Sequence, residues 1–127
     1  MQVEFFTGSD GDAYWRVTDS NGDEVNRSSE GFRQLGSAKN NLLIFHTLLS
    51  ADLLALAQFR GGPKSELDSI QFYIDEAGKQ RWRVVAGNGE IVGASHKGFK
   101  TFGEGKNNLL MTHSLISIYV ATIAMEK

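Results

Sequence analysis

The sequence contains no cysteine, a single proline and little surplus of either charge, with 13 Lys and Arg against 15 Asp and Glu. Without cysteine there is no disulfide framework, cysteine-ligated zinc, iron–sulfur cluster or thiol catalysis. The charge balance removes the main drive for non-specific binding to a phosphate backbone, which needs excess Lys and Arg. No apolar run approaches the length of a membrane span. The first residues, Met1-Gln-Val-Glu-Phe-Phe6, lack the basic segment and apolar core of a secretory leader. The expectation is a cytoplasmic protein with no membrane partner. What is present is ordinary for a soluble domain: 127 residues, 41% apolar and 22% charged. A chain of this length buries roughly two-thirds of its unfolded surface, enough for a core without disulfides or a structural metal.

An internal repeat organises the rest. Shifting the chain by 67 residues without a gap pairs Trp15-Arg16-Val17 with Trp82-Arg83-Val84 and Asn21-Gly22 with Asn88-Gly89. The same shift pairs Gly31-Phe32 with Gly98-Phe99 and Lys39-Asn-Asn-Leu-Leu43 with Lys106-Asn-Asn-Leu-Leu110. About 21 of the 56 pairs from Val3 to Gln58 are identical, where unrelated segments of average composition give roughly three or four. The sequence reads as a tandem duplication, with repeat one over 1–60, a connector over 61–66 and repeat two over 67–127. The connector region, from Arg60 to Glu66, holds the only proline and two adjacent glycines. Each half is marginal in size for independent stability, so the halves are expected to share one core.

Within each half, period and turn chemistry predict a β-β-β-α-β unit of an α+β fold. Val3, Phe5 and Thr7 alternate with Glu4 and Phe6, as Ile70, Phe72 and Ile74 do with Gln71 and Tyr73. The second strand places Trp15 and Val17, or Trp82 and Val84, on one face and the arginines on the other. Asn21-Gly22 and Asn88-Gly89 supply hairpin turns whose two residues accept positive φ, leading to a third strand near Glu24 to Ser28 and Ile91 to Ser95. Ser37 is the expected cap of a helix running through Leu49, and Glu104 stands at the equivalent place in the second copy. The β-branched run Ile118-Tyr-Val-Ala-Thr-Ile123 reads as a strand, and repeat symmetry extends that reading to Leu53-Leu-Ala-Leu-Ala57, whose own propensity is helical.

These residues resemble the YegP-like family, whose members often occur as tandem copies. The likeness is clearest in Phe72-Tyr-Ile-Asp-Glu-Ala-Gly-Lys-Gln-Arg-Trp-Arg-Val84 with Asn88-Gly-Glu-Ile-Val92. It is weaker in the first half, where Tyr14 precedes Trp15. The resemblance implies two units joined into one mainly antiparallel sheet, with two helices packed on one face and the strand after each helix exchanged between units. It carries no catalytic residue, because the family is functionally uncharacterised. The helices here are more apolar than the family's, as in Leu42-Leu-Ile-Phe45 and Leu109-Leu-Met111, which points either to burial within the chain or to a homodimer through these helices.

Motifs with chemical content are few. Gly103-Glu-Gly-Lys106 lacks the spacing and the hydroxyl of a phosphate-binding loop, and Asp19-Ser-Asn-Gly-Asp-Glu24 has its glycine two positions early for a calcium loop. His46 and His113 occupy equivalent helix positions without a metal-pairing residue three or four away. No metal or cofactor is expected. Two constellations remain as candidate binding residues. Arg16 and Arg83 share a sheet face with Phe6 and Tyr73, where an aromatic ligand, sugar or base would stack and the guanidinium groups would hold an anion. The alternative is a structural pairing of each arginine with its neighbouring ring or a carboxylate. Lys39-Asn40 and Lys106-Asn107, near the helix starts, form the second group, with anion binding set against local capping. The leading functional expectation is a non-enzymatic binding or interaction module with two pseudo-equivalent sites for an unknown protein or small-molecule partner. Single-stranded nucleic-acid binding on the Arg/aromatic face comes second. An enzyme using His46 or His113 with a carboxylate such as Asp52 or Glu104 comes third.

Overall fold

The computed structural model describes residues 2–59, 61–62 and 65–125. Arg60, Pro63 and Lys64 of the expected connector lie outside the described residues. The elements in chain order are β1 (Val3–Thr7), β2 (Ala13–Thr18), β3 (Glu24–Arg27), α1 (Leu35–Ala51) and α2 (Leu53–Ala57), followed by β4 (Ile70–Ile74), β5 (Gln80–Val85), β6 (Ile91–Ala94) and α3 (Phe102–Met125). The fold is α+β, with two antiparallel three-stranded sheets of order β1-β2-β3 and β4-β5-β6.

Registers recur at the same separation as the sequence identities. Phe5 faces Trp15 and Phe72 faces Trp82, while the ladder shifts between Val17 and Thr18 and again between Val84 and Val85. The β2–β3 turn differs from the expected two-residue hairpin. The N–H of Gly22 returns to the carbonyl of Asp19 at 3.0 Å, and Gly22 takes the left-handed position at φ 85°. Such a turn followed by a left-handed glycine is the longer hairpin connection. The Asp19 carboxylate accepts from the N–H groups of Asn21 and Asp23 at 2.9 and 3.0 Å, so the acid that begins the calcium-like stretch serves the turn.

The two strands expected after the helices are helical, and the described strands form two sheets rather than one. Leu53–Ala57 follows its own propensity as α2, and Ile118–Ile123 continues α3. The β-branched run is overridden because α3 buries Leu109, Thr112, His113 and Ile116 at helical spacing. Asp52 interrupts α1 before α2, and its carboxylate accepts from the N–H of Ser69 at 2.8 Å, fastening the helix end to the start of β4. Helix starts also differ from expectation. Gln34, not Ser37, precedes α1, with no side-chain cap. At α3, the Thr101 hydroxyl accepts from the N–H of Glu104 and donates to its carboxylate, both at 3.1 Å, so Thr101 caps the helix start with its side chain. By length and composition α3 is apolar enough to cross a membrane, unlike the sequence expectation, yet its buried residues pack on the rest of the chain.

Both halves contribute to one hydrophobic cluster. Trp15, Val17, Trp82 and Val84 are fully buried, as the alternation predicts. Helix α1 packs on β2, β5 and β6, while α3 packs on β1, β2, β3 and β5, so each long helix spans both sheets. Phe45 lies between the two tryptophans, with ring centroids 5.7 Å from Trp15 and 6.0 Å from Trp82. Gly93 is required beside it, since a Cβ there would stand 2.5 Å from the Phe45 ring. The equivalent pair in the other half is Thr112 and Asn26, a small residue where Phe45 is large and a larger one where Gly93 is small.

Candidate functional site

The predicted basic and aromatic face is assembled, and its residues are engaged with one another. Arg16 lies over Phe6 with its guanidinium carbon 5.0 Å from the ring centroid, and donates to Glu4 at 3.0 Å. Arg83 lies over Tyr73 at 4.8 Å and donates to Gln71 at 2.7 Å. Phe6 also stacks on Tyr14 at 5.5 Å, with Arg27 above it. This is the arrangement of the structural alternative: cross-strand pairs worth about 0.5 to 1 kcal/mol each at exposed sites.

The helix-start residues separate into different environments. Asn40 and Asn107 are exposed, whereas Asn41 and Asn108, one position later, turn inward and join the halves. The Trp15 indole N–H donates to Asn41 Oδ1 at 2.9 Å, and Asn41 Nδ2 donates to the Val92 carbonyl at 3.1 Å. The mirror arrangement links Trp82 to Asn108 at 3.1 Å and Asn108 to the Val25 carbonyl at 2.9 Å. Each asparagine therefore holds the tryptophan of its own half and the third strand of the other. Lys106 donates to the Phe59 carbonyl at 3.1 Å, while the Lys39 ammonium sits 5.6 Å from the Phe5 ring.

Exposed Asn40 and Asn107 line two clefts that correspond at the 67-residue separation. One, of about 370 Å³, lies between β3 and α3 and is walled by Asp23, Glu24, Val25, Asn107, Asn108 and Met111. The other, of about 270 Å³, lies between β6 and α1 and is walled by Glu90, Ile91, Val92, Asn40, Asn41 and Ile44. Sequence reasoning selected Asn40 and Asn107 but not the strand residues opposite them, which become neighbours only because each helix crosses to the other sheet. A larger cavity of about 560 Å³, beside Asp52, Glu66 and Asp68, contains none of the predicted binding residues.

His46 and His113 meet at the α1–α3 contact, with rings parallel within 9° and centroids 4.9 Å apart. His46 Nε2 is 2.9 Å from Ser117 Oγ, and His113 Nε2 is 2.9 Å from Ser50 Oγ. Since Ser117 donates its proton to the His113 carbonyl, the hydroxyl oxygen accepts from His46 Nε2–H. Neither ring is brought to the carboxylates considered for it: Asp52 bonds the Ser69 N–H and Glu104 bonds Thr101. Burial lowers the pKa of both rings, and the His46 charge lowers that of His113 further. The folded state thus prefers neutral rings. Above the ordinary value of 6.5 this preference costs nothing, and as pH falls through that value the unfolded chain takes up protons first. The melting temperature is expected to fall between about pH 7 and pH 5, and His46→Gln with His113→Gln to flatten that slope. A double variant with an unchanged slope assigns the pH dependence elsewhere.

No family model and no curated protein matches the sequence. Among solved structures, the chain is similar to the protein of unknown function YegP from E. coli, with a TM-score of 0.64 at 15% identity over 90% of this chain and 84% of that one. It is also similar to the UPF0339 protein SO3888 from Shewanella oneidensis, with a TM-score of 0.59 at 14% identity over 91% and 86% of the two chains. At these identities the likeness shows a shared fold.

Proposed function

We propose that the chain is a YegP-like protein built by tandem duplication and that it works as a small, non-enzymatic binding module. Its two pseudo-equivalent sites are the clefts where the third strand of one half meets the helix of the other. The observation that supports this reading is the correspondence of the two linings, with Asn40 matching Asn107, Ile44 matching Met111 and Glu90 matching Asp23. Carboxylates on the strand side, an exposed amide on the helix side and an apolar residue between them suit a ligand with an amine or other donors beside an apolar body. In the cleft at β3 a phosphate ligand would meet the carboxylates of Asp23, Glu24 and Glu104 against one ammonium, that of Lys97, which stands where the other cleft has Glu30. Nucleic acid is the weaker reading, because Arg16 and Arg83 are held by Glu4 and Gln71. Catalysis by His46 or His113 is weaker still, since serines take their Nε2 atoms.

Backbone amide NMR of the intact chain, titrated with a pool of aliphatic and aromatic amines, tests this proposal. The expected result is paired shifts around Asn40 and Asn107, with Asn107→Leu removing one set and leaving the other. Shifts produced instead by short single-stranded oligonucleotides at Arg16, Phe6, Arg83 and Tyr73, lost as salt rises and abolished by Arg16→Ala with Arg83→Ala, would transfer the function to the sheet face.

A further inference from the structure

We infer that the outer edge of β1 docks an extended segment of another protein, one that brings an aromatic side chain and a carboxylate and adds a fourth strand to the first sheet. The second half shows how this chain covers the corresponding edge. There the segment before β4 runs against it: Phe72 N–H donates to the Ser65 carbonyl at 2.8 Å, and Glu66 bridges Gln71 in antiparallel register. Phe59 stacks on Phe72 at 5.7 Å and packs against Phe102, and the Phe59 carbonyl accepts from Lys106.

In the first half, the backbone groups of Ala13 and Trp15 bond away from β1, to Phe32 at 2.6 Å and to Ser28 at 2.9 Å. Their antiparallel partners Thr7 and Phe5 therefore turn their own N–H and C=O groups outward. Among the described residues no backbone pairs with that edge. β1 carries neither lysine, proline nor a bulge, the usual devices that guard an exposed strand. A cavity of about 270 Å³ opens beside it, lined by Phe5, Thr7, Arg33 and Leu35.

Charge complementarity defines the occupant. Lys39 is the counterpart of Lys106, and its ammonium lies near the Phe5 ring with no oxygen acceptor among the described residues. Arg33 makes no ion pair among them, and nearly half of the Leu35 surface is exposed. Tyr119 already meets the Phe5 ring edge-on at 5.8 Å, so an incoming aromatic side chain would pack on the outer Phe5, Leu35 and Arg33 walls of the cavity, and the two cations suit a carboxylate. Main-chain bonds supply affinity in such strand addition, and the alternate side chains supply selectivity.

A synthetic peptide with the sequence of residues 58–69, which contains the covering residues Phe59, Ser65 and Glu66, is the probe. In NMR titrations of the intact chain to about millimolar peptide, the expected result is shifts and slowed amide exchange at Phe5 and Thr7. Thr7→Pro removes an outward donor and leaves the β1–β2 ladder intact, so it should weaken binding about tenfold or more with an unchanged melting curve. Arg33→Glu should weaken binding as well, and a peptide with its acids replaced by lysine should not bind. Absence of shifts at β1, or shifts confined to other surfaces, overturns the proposal. A doubled mass in light scattering without peptide, abolished by Thr7→Pro, overturns it in favour of a second copy of this chain.

Discussion

Phe45→Ala is expected to lower stability by about 3 to 5 kcal/mol, a large fraction of the 5 to 15 kcal/mol typical of a domain. The ring is fully buried and stacks on both Trp15 and Trp82. Its removal therefore loses apolar transfer energy and two ring contacts at once, and leaves a cavity at the seam between the halves. Phe45→Leu keeps most of the volume and should cost markedly less. Because a Cβ at position 93 would strike the same ring, Gly93→Ala is expected to overpack the site in wild type and to be better tolerated beside Phe45→Ala. Urea denaturation of the three single variants and the double variant checks this. Additive effects would show that the two positions do not share the space.

Asn41→Ala and Asn108→Ala are the second pair expected to have large effects, at about 2 to 4 kcal/mol each. Each substitution strands an indole N–H and a strand carbonyl, and a buried polar group left without a partner costs about 1 to 3 kcal/mol. Asn40→Ala and Asn107→Ala, one residue earlier and exposed, should stay within about 0.5 kcal/mol. Melting curves that fail to separate the two pairs would show that the amide bridges do not hold the halves together.

The contrast between Asn41 and its neighbour also marks where the sequence was legible. The strict alternation around Trp15 and Trp82 determines which side chains are buried, and period two alone puts Arg16 with Phe6 and Arg83 with Tyr73. The helix starts show lysine and asparagine in both halves, but whether Asn40 or Asn41 faces inward depends on helix phase. That phase is set by Leu42, Phe45 and Leu49 packing across both sheets. Ile118–Ile123 is helical against its β-branched pattern for a related reason: β-branching is a local preference, and the burial of Ile116 with Thr112 and Leu109 outweighs it. The clefts were not legible, because their walls come from residues far apart in the chain. The stacked histidines were visible only as equivalent positions, since nothing local indicates that two helices meet there.

The reciprocal asparagine bridges have a bearing on how the molecule can be assembled. Asn41 is completed by Val92 and Asn108 by Val25, so neither half contains the acceptor that its own helix requires. The His96 N–H, bonded to Asn26 at 2.8 Å, ties the halves a third time. All these bonds are indifferent to whether a peptide link joins the two halves. Two separately synthesised fragments, cut between residues 62 and 65, would find in each other the acceptors each one lacks. The chain thus has the bonding pattern of a dimer carried on a single polypeptide, and fragment complementation is the behaviour that pattern entails.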